Sequence, residues 1–402
     1  MRYRLSEIEV TRPLAALELA ADETGAALLL RRNGRPIGFL MRQSAGKRVW
    51  LPEELSSWIG NELKTKMVEE AIHDELAPPR ANVPFPSLSV AICTRNRVVT
   101  LSRCLESVLP LQQKHGFELL VIDNAPPDGA TAELVKKLVG ARYVLEPCPG
   151  LDFARNRAWM EAAGNLIAYL DDDVIVDAGW LAGLQEAWNE NPDAAAFTGL
   201  VMPLRLDTPA QVLFEKRNGF RRGFDKKRFG RELPGNPLYP CGAGIFGAGC
   251  NMAFRRAVLH EIGGFDHALD TGAPLPGGGD LDIFYRIIRA GHVLVYEPGY
   301  MVFHEHRATE SALRRQYYSW GLGFMAFVEK NYRHDPAQRA RFRRLVKWWI
   351  DDQISQLIKA LRGKHVLPFS MIFAEFCGGM VGISGEYSRS LRRIATIQKD
   401  FA

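Results

Sequence analysis

The run "NLIAYLDDDVIVDAGWL", Asn165 to Leu181, sets three carboxylates, Asp171, Asp172 and Asp173, at the end of an apolar strand. Side chains alternate along a strand, so Asp171 and Asp173 are expected on one side. Asp172 is expected on the other, where it should tolerate replacement best. Two like charges on one side call for a cation. A hard divalent ion such as Mg²⁺ or Mn²⁺ takes oxygen ligands and completes its shell with substrate phosphates and water. The competing reading is a solvated acidic turn leading into "DAGWLAGLQEAW", a helix for which Asp177 is a suitable N-cap.

The elements that must position these groups begin at Ser87. Short apolar strands, "LSVAICT", "FELLVIDN", "ARYVLEP" and "LIAYLDDDV", alternate with helical segments, "TLSRCLESVLPLQ", "ATAELVKKLV" and "GLDFARNRAWMEAA". Continuous apolar strands alternating with helices imply a sheet covered on both faces. Ligands of such sheets sit outside the carboxyl ends of the strands. The residues found there are Thr94, Arg95 and Asn96 after the first strand, Asp123 and Asn124 after the second, and the three aspartates after the fourth. Further on, "GGGDLDIFYRIIRAG" offers Asp280 and Asp282, either of which can serve as a base or as a helix cap. In "YMVFHEHR", His304 and His306 share one side of an extended segment, and each is a candidate metal ligand.

Taken in order, "SVAICTRNR", "LLVIDNAPPDG", "GLDFARNRAWMEAAGNLIAYLDDDVIVDAGWL" and "GGGDLDIFYRIIRAG" resemble a family 2 glycosyltransferase over roughly Ser87 to Arg307. The resemblance implies a GT-A fold and transfer of a sugar, with inversion, from a nucleoside-diphosphate-sugar donor to an acceptor hydroxyl. It implies Thr94, Arg95 and Asn96 near the nucleotide, Asp123 at the base, and Asp171 and Asp173 as the DxD pair on ribose and metal-diphosphate. The metal is expected to be Mn²⁺ or Mg²⁺, with His304 as a further ligand and His306 as its rival. Arg155, on the helix before the aspartate strand, falls beside the diphosphate, and Asp172 is grouped with the donor-binding residues. The base of the family is the aspartate of a Glu-Asp pair. Asp280 matches it, with Gly279 in place of the glutamate, and Asp282 is the alternative. Cys250 and Asn251 fall on the strand beside the acceptor cavity, or pack as a strand end. Arg307, Arg314 and Arg315 are candidates for the diphosphate.

The expected fold class is therefore α/β: a Rossmann-like GT-A mixed sheet flanked by helices, with a small N-terminal β-rich region and a C-terminal helical extension. The expected division is 1–82, 83–330 and 331–402. In the first part "GAALLLRRNGRPIGFLMR" reads as a hairpin about Asn33-Gly34, and Leu55, Trp58, Ile59, Leu63 and Met67 recur at helical spacing. The proline-rich "APPRANVPFP" is the expected linker, and the glycine- and proline-rich "DTGAPLPGG" before Asp280 the expected ligand-hugging loop.

Composition narrows the rest. The 402 residues are 47% hydrophobic with a formal charge of +5, enough for an ordinary globular core and too little charge to require nucleic acid. Six cysteines without a C-x-x-C pair and an N-terminus without an apolar leader point to the cytoplasm. The segment Arg333–Lys364 combines basic residues with a stripe including Phe342, Leu345, Trp348, Trp349, Ile354, Ile358 and Leu361. That stripe suits either packing on the catalytic domain or peripheral docking at the inner face of the plasma membrane, where the acceptor would be a glycan or lipid-linked. Oligomeric state is not legible. A haloacid-dehalogenase-like phosphohydrolase and a non-catalytic sugar-binding module are the alternative functions. A nucleotidyltransferase is disfavoured because "CTRNRVV" lacks glycine.

Overall fold

The computed structural model describes residues 1–76, 83–269 and 275–401. Parts of the expected linker and of the loop before Asp280 lie outside the described residues. At the centre is a nine-stranded mixed sheet. Eight strands run in the order Val174–Val176, Val293–His304, Ala194–Pro203, Asn251–Arg255, Leu166–Asp171, Leu88–Thr94, Glu118–Asn124, Ala141–Glu146, and Lys227–Phe229 pairs with Val293–His304. The last four in that order are mutually parallel, whereas Asn251–Arg255 enters antiparallel to both neighbours.

Period-two alternation explains why these strands read as unbroken apolar runs. Val90, Ile92, Leu119, Val121, Ala168 and Leu170 pack into one core, while Ala91, Leu120, Ile122, Ile167 and Tyr169 pack into another. Both faces are covered, so polar residues are confined to the ends. Register then brings those ends together: Cys93 lies opposite Asp171, and Thr94 opposite Asp123.

The N-terminal residues form a three-stranded sheet of Tyr3–Glu9, Gly25–Arg32 and Arg35–Gln43. Its hairpin turns at Asn33 and Gly34, both with positive φ (50° and 79°), the conformation that an Asn-Gly pair adopts at least cost. The helix Pro52–Leu76 buries Leu55, Trp58 and Ile59, as its apolar spacing predicts. Arg31 of this sheet pairs with Asp177 at 2.5 Å. Asp177 also accepts from Gly179 N at 2.9 Å, one residue before the helix Trp180–Glu190 that it was expected to cap directly.

At the other end of the chain, the helix Glu310–His334 is gripped by the helix Phe369–Val381. A Cβ at Gly321 would stand 2.0 Å from the Glu375 carbonyl oxygen, and one at Gly378 2.0 Å from that of Tyr318. Only glycine permits that approach. The helix Arg339–Leu361 divides its apolar stripe: Phe342, Leu345 and Trp349 are buried, while Trp348, Ile354, Ile358 and Leu361 remain exposed. Among the described residues no helix is long and apolar enough to cross a membrane.

Candidate active site

The strand carrying the acids ends at Asp171, and Asp172 and Asp173 form the turn into Val174–Val176. Strand alternation stops there, which corrects the expectation that Asp172 points away from the other two. All three carboxylates line one cavity of about 760 Å³, together with Thr94, Arg95, Arg97, Asn124, His304, Arg307 and Arg315. Asp172 is buried and accepts from Thr94 Oγ1 at 2.7 Å and from Arg97 Nη1 at 3.0 Å. The same Arg97 nitrogen reaches Asp173 Oδ2 at 3.2 Å, and Arg307 lies 4.0 Å from that oxygen.

Antiparallel pairing sets Val174 opposite His304, so the histidine closes on the acids from the neighbouring strand. His304 Nε2 lies 3.4 Å from Asp173 Oδ1, a buried oxygen without a hydrogen-bond partner. Such an atom is costly unless something else satisfies it. Burial pushes Asp172 and Asp173 above the usual carboxylate range. Asp171 is pushed to about 6 by burial and the charge of Asp173, against the pull of Arg155. His304 is driven down to about 3 by burial and by His306, and is therefore neutral at physiological pH.

These features fit a divalent ion. Asp171, Asp173 and His304 present oxygen and nitrogen donors, one of them orphaned, to a cavity also lined by arginines suited to phosphate. Among the described residues no three His, Cys, Asp or Glu side chains are arranged to hold a metal unaided. An ion there would need donor atoms from substrate or water to complete its shell.

The other expected residues separate into those brought to the cavity and those kept from it. Thr94 and Arg95 line it; Asn96, exposed with φ of 54°, occupies the adjoining turn and does not. Asp123 is buried behind Asn124, accepting from Tyr143 Oη at 3.1 Å, with its Oδ1 unpartnered. Burial raises its pKa. Asn124 is the residue of that pair that lines the cavity, and it pins the following loop by accepting from Gly150 N and donating to Cys148 O. Arg155 is buried against Asp152 at 3.1 Å and stacks over Phe265.

Gly249 lies between Arg155 and Asp280, since a Cβ there would meet Arg155 Nη2 and Asp280 Cβ at 3.0 Å each. Asp280 opens the helix Gly279–Arg289, half-exposed, and among the described residues takes backbone donors: Gly249 N at 3.2 Å and Leu281 N at 2.9 Å. Gly279 is buried in the same first turn.

Asp282 is a different object. It is wholly buried and accepts from Lys330 Nζ (2.6 Å), Arg286 Nε (2.7 Å) and Asn331 Nδ2 (2.9 Å). Against the upward push of burial, Lys330 and Arg286 hold its pKa at about 2. With its oxygens taken up by these donors, it has neither the access nor the basicity that the alternative reading of it as a base requires. Asn251 is likewise removed from the acceptor side: it is fully buried, accepting from Trp180 Nε1 and donating to Tyr300 O. Cys250 packs beside it in an apolar core, so the strand-end reading describes both.

Arg97 is the clearest residue that sequence reasoning passed over. It lies two positions beyond Arg95 in the same turn, and that adjacency was the available signal. Nothing in the sequence marked Glu215, which meets His306 Nε2 at 2.6 Å from a helix ninety residues away.

The mixed sheet gathers acids, arginines and a histidine at its strand ends around one cavity. Residues 89–263, a little under half of the chain, match the family model for Glycosyl transferase family 2. That match sets the phosphohydrolase alternative aside. A pre-mycofactocin glycosyltransferase of Mycobacterium tuberculosis is 24% identical over 291 residues, covering 70% of this chain and 56% of that protein. A glucosyl-dolichyl phosphate glucuronosyltransferase of Haloferax volcanii is 25% identical over 190 residues, covering 44% of this chain and 56% of that protein. The chain thus spans just over half the length of these relatives. Among solved structures, a mannosyltransferase from Pyrobaculum calidifontis in complex with GDP-Man and Mn²⁺ aligns with a TM-score of 0.48 at 16% identity, covering 84% of this chain and 96% of that one.

Proposed function

We propose that the protein is an inverting glycosyltransferase that moves a sugar from a nucleoside-diphosphate-sugar donor to an acceptor hydroxyl. The observation that carries this reading is the unpartnered, buried Asp173 Oδ1 facing His304 Nε2 within a cavity lined by three acids and four arginines, with Thr94 and Asn124. In this reading Asp171 and Asp173 form the DxD pair and, with His304, hold Mn²⁺ or Mg²⁺. Bound there, the ion supplies Lewis-acid stabilisation of the departing diphosphate.

The chain's own residues do the remaining work. Arg97, released from Asp172 and Asp173 as the donor enters, turns with Arg307 and Arg315 to the diphosphate oxygens, where guanidinium forks fit. Asp172 and Thr94 hold the turn that aims its neighbours. Asp123 is assigned to the base of the nucleotide. Asp280 accepts the proton of the acceptor hydroxyl as its oxygen bonds to the anomeric carbon and the bond from that carbon to phosphate breaks. Among the described residues its hydrogen-bond donors are the backbone N–H groups of Gly249 and Leu281.

We divide the chain into an accessory region (1–82), the catalytic domain (83–330) and a helical region (331–402). The last is assigned to peripheral docking on an anionic bilayer at the cytoplasmic face, in keeping with a lipid-linked acceptor and a role in envelope polysaccharide or glycolipid synthesis. Phe369, Phe373, Met380 and Val381 are exposed on one helix whose opposite face, Met371, Ile372, Gly378 and Gly379, is buried. Lys359, Arg362 and Lys364 precede it and Arg389 and Arg392 follow. Apolar groups framed by basic ones suit a bilayer surface.

The functional test is a turnover screen across UDP-, GDP- and dTDP-sugars with Mn²⁺ or Mg²⁺, repeated with chelator. Turnover of at least one donor that disappears on chelation is expected; metal-independent turnover would overturn the assignment of the aspartates. Flotation with phosphatidylglycerol vesicles tests the docking face, and Phe369→Ser with Phe373→Ser should abolish it.

A further inference from the structure

Behind His304, away from the cavity, a buried chain of polar groups leads to the helix Pro209–Lys216. His304 Nδ1 meets His306 Nδ1 at 3.1 Å, and His306 Nε2 meets Glu215 Oε1 at 2.6 Å. The side chains of His306 and Glu215 are 1% and 0% exposed. Glu215 is paired through its other oxygen with the guanidinium of Arg221. Phe220 packs on both imidazoles at 5.0 and 5.8 Å, and Gln211 Nε2 donates to the His306 carbonyl at 3.2 Å. Ring orientation is therefore fixed on several sides.

We propose that Glu215 and His306 are positioning residues that lock His304 into the tautomer whose Nε2 lone pair faces Asp173 and the cavity. The argument is one of donors and acceptors. Arg221 keeps its positive charge at neutral pH even though burial lowers its pKa to about 10, so Glu215 is a carboxylate and can only accept. His306 Nε2 must then carry the proton. A neutral imidazole has one N–H, which leaves His306 Nδ1 as an acceptor and obliges His304 Nδ1 to donate to it. His304 Nε2 is left with its lone pair, 3.4 Å from the unpartnered Asp173 Oδ1. With Asp173 ionised, His304 Nε2 and Asp173 Oδ1 are two acceptors facing each other, an arrangement that a cation satisfies. The opposite assignment would require a second proton on the buried His306, or a protonated Glu215 beside Arg221.

This inference rests on the proposed metal site and extends it about 90 residues back along the chain, to a carboxylate that does not line the cavity. Groups that hydrogen-bond a metal-binding histidine, as His306 does His304, tune metal affinity by about 10–100-fold.

Two measurements separate the relay from the site it serves. In metal-free protein, ¹⁵N chemical shifts of the two imidazoles should show His304 protonated at Nδ1 and His306 at Nε2; a proton on His304 Nε2 overturns the relay while leaving the metal reading standing. Mn²⁺ affinity, titrated by electron paramagnetic resonance with UDP and separately with GDP, should fall about 10–100-fold in His306→Leu. It should recover in large part in His306→Asn, whose Oδ1 can replace Nδ1 as the acceptor. Glu215→Gln, which keeps shape but can donate as well as accept, should show both tautomers of His304. Equal affinity in wild type and a folded His306→Leu overturns the positioning role. A wild type that binds no Mn²⁺ with either nucleotide overturns the metal reading and the positioning role with it.

Discussion

The carboxylates at the end of the strand Leu166–Asp171 and the buried Asp282 of the helix Gly279–Arg289 have been given opposite environments. Asp282 sits among Lys330, Arg286 and Asn331, its oxygens occupied, its pKa held at about 2. Asp171, Asp172 and Asp173 crowd one another with too few donors, their pKa values raised and one oxygen orphaned. The first arrangement is complete by itself and joins one helix to another. The second is satisfied only when something arrives. The contrast repeats over two residues, since Asp280, in the same turn as Asp282, is met by backbone N–H groups among the described residues. Burial alone does not mark a functional acid; unfinished compensation does.

The sharpest way to break this comparison is to neutralise each member of the Asp280 and Asp282 pair. Asp280→Asn should lower sugar transfer by about 10³-fold with little change in melting temperature, within the range for loss of a general base. Asp282→Asn should instead cost about 3–5 kcal/mol in urea unfolding, because Lys330 and Arg286 are left without their carboxylate. If Asp282→Asn folds as stably as wild type and loses turnover, the two roles are reversed. A smaller effect is expected at Asp172. Asp172→Ala should cost about 1–3 kcal/mol by stranding Thr94 Oγ1 and weakening the hold on Arg97, and a neutral result would support the expectation that Asp172 tolerates replacement best.

The smallest effect concerns pH. An acid whose folded pKa is raised binds its proton more tightly folded than unfolded, so its contribution to stability is lost as pH climbs from about 4 through about 6, the window set by Asp171. A cation binds the ionised form. Mn²⁺ should therefore raise the melting temperature more at pH 7.5 than at pH 5.0. Equal shifts at both values would mean that the cluster is not what binds the ion.

The sheet was legible because its strands are buried on both faces, which leaves an unbroken apolar signature and concentrates polar residues at the ends. The aspartates and His304 were legible for the same reason. The sequence-level reading failed where backbone direction changed: alternation could not say that the strand stops at Asp171, and so misdirected Asp172. It also left Asp280 against Asp282 open, because the difference lies in Lys330 and Asn331, nearly fifty residues away. Glu215 carried no signal, since its role depends on a helix packing beneath His306. The apolar stripe of the tail was read as either packing or surface, whereas the helix Arg339–Leu361 buries one face of it and exposes the other.

The central claim is that the strand-end acids bind the donor through a cation. Calorimetric titration of UDP-, GDP- and dTDP-sugars into wild type and Asp173→Asn, with Mn²⁺ and then with chelator, tests it most directly. The account predicts that the preferred donor binds wild type in Mn²⁺ and loses at least about 10-fold in affinity both on chelation and in Asp173→Asn. A donor bound equally tightly in chelator, or by Asp173→Asn, would contradict it.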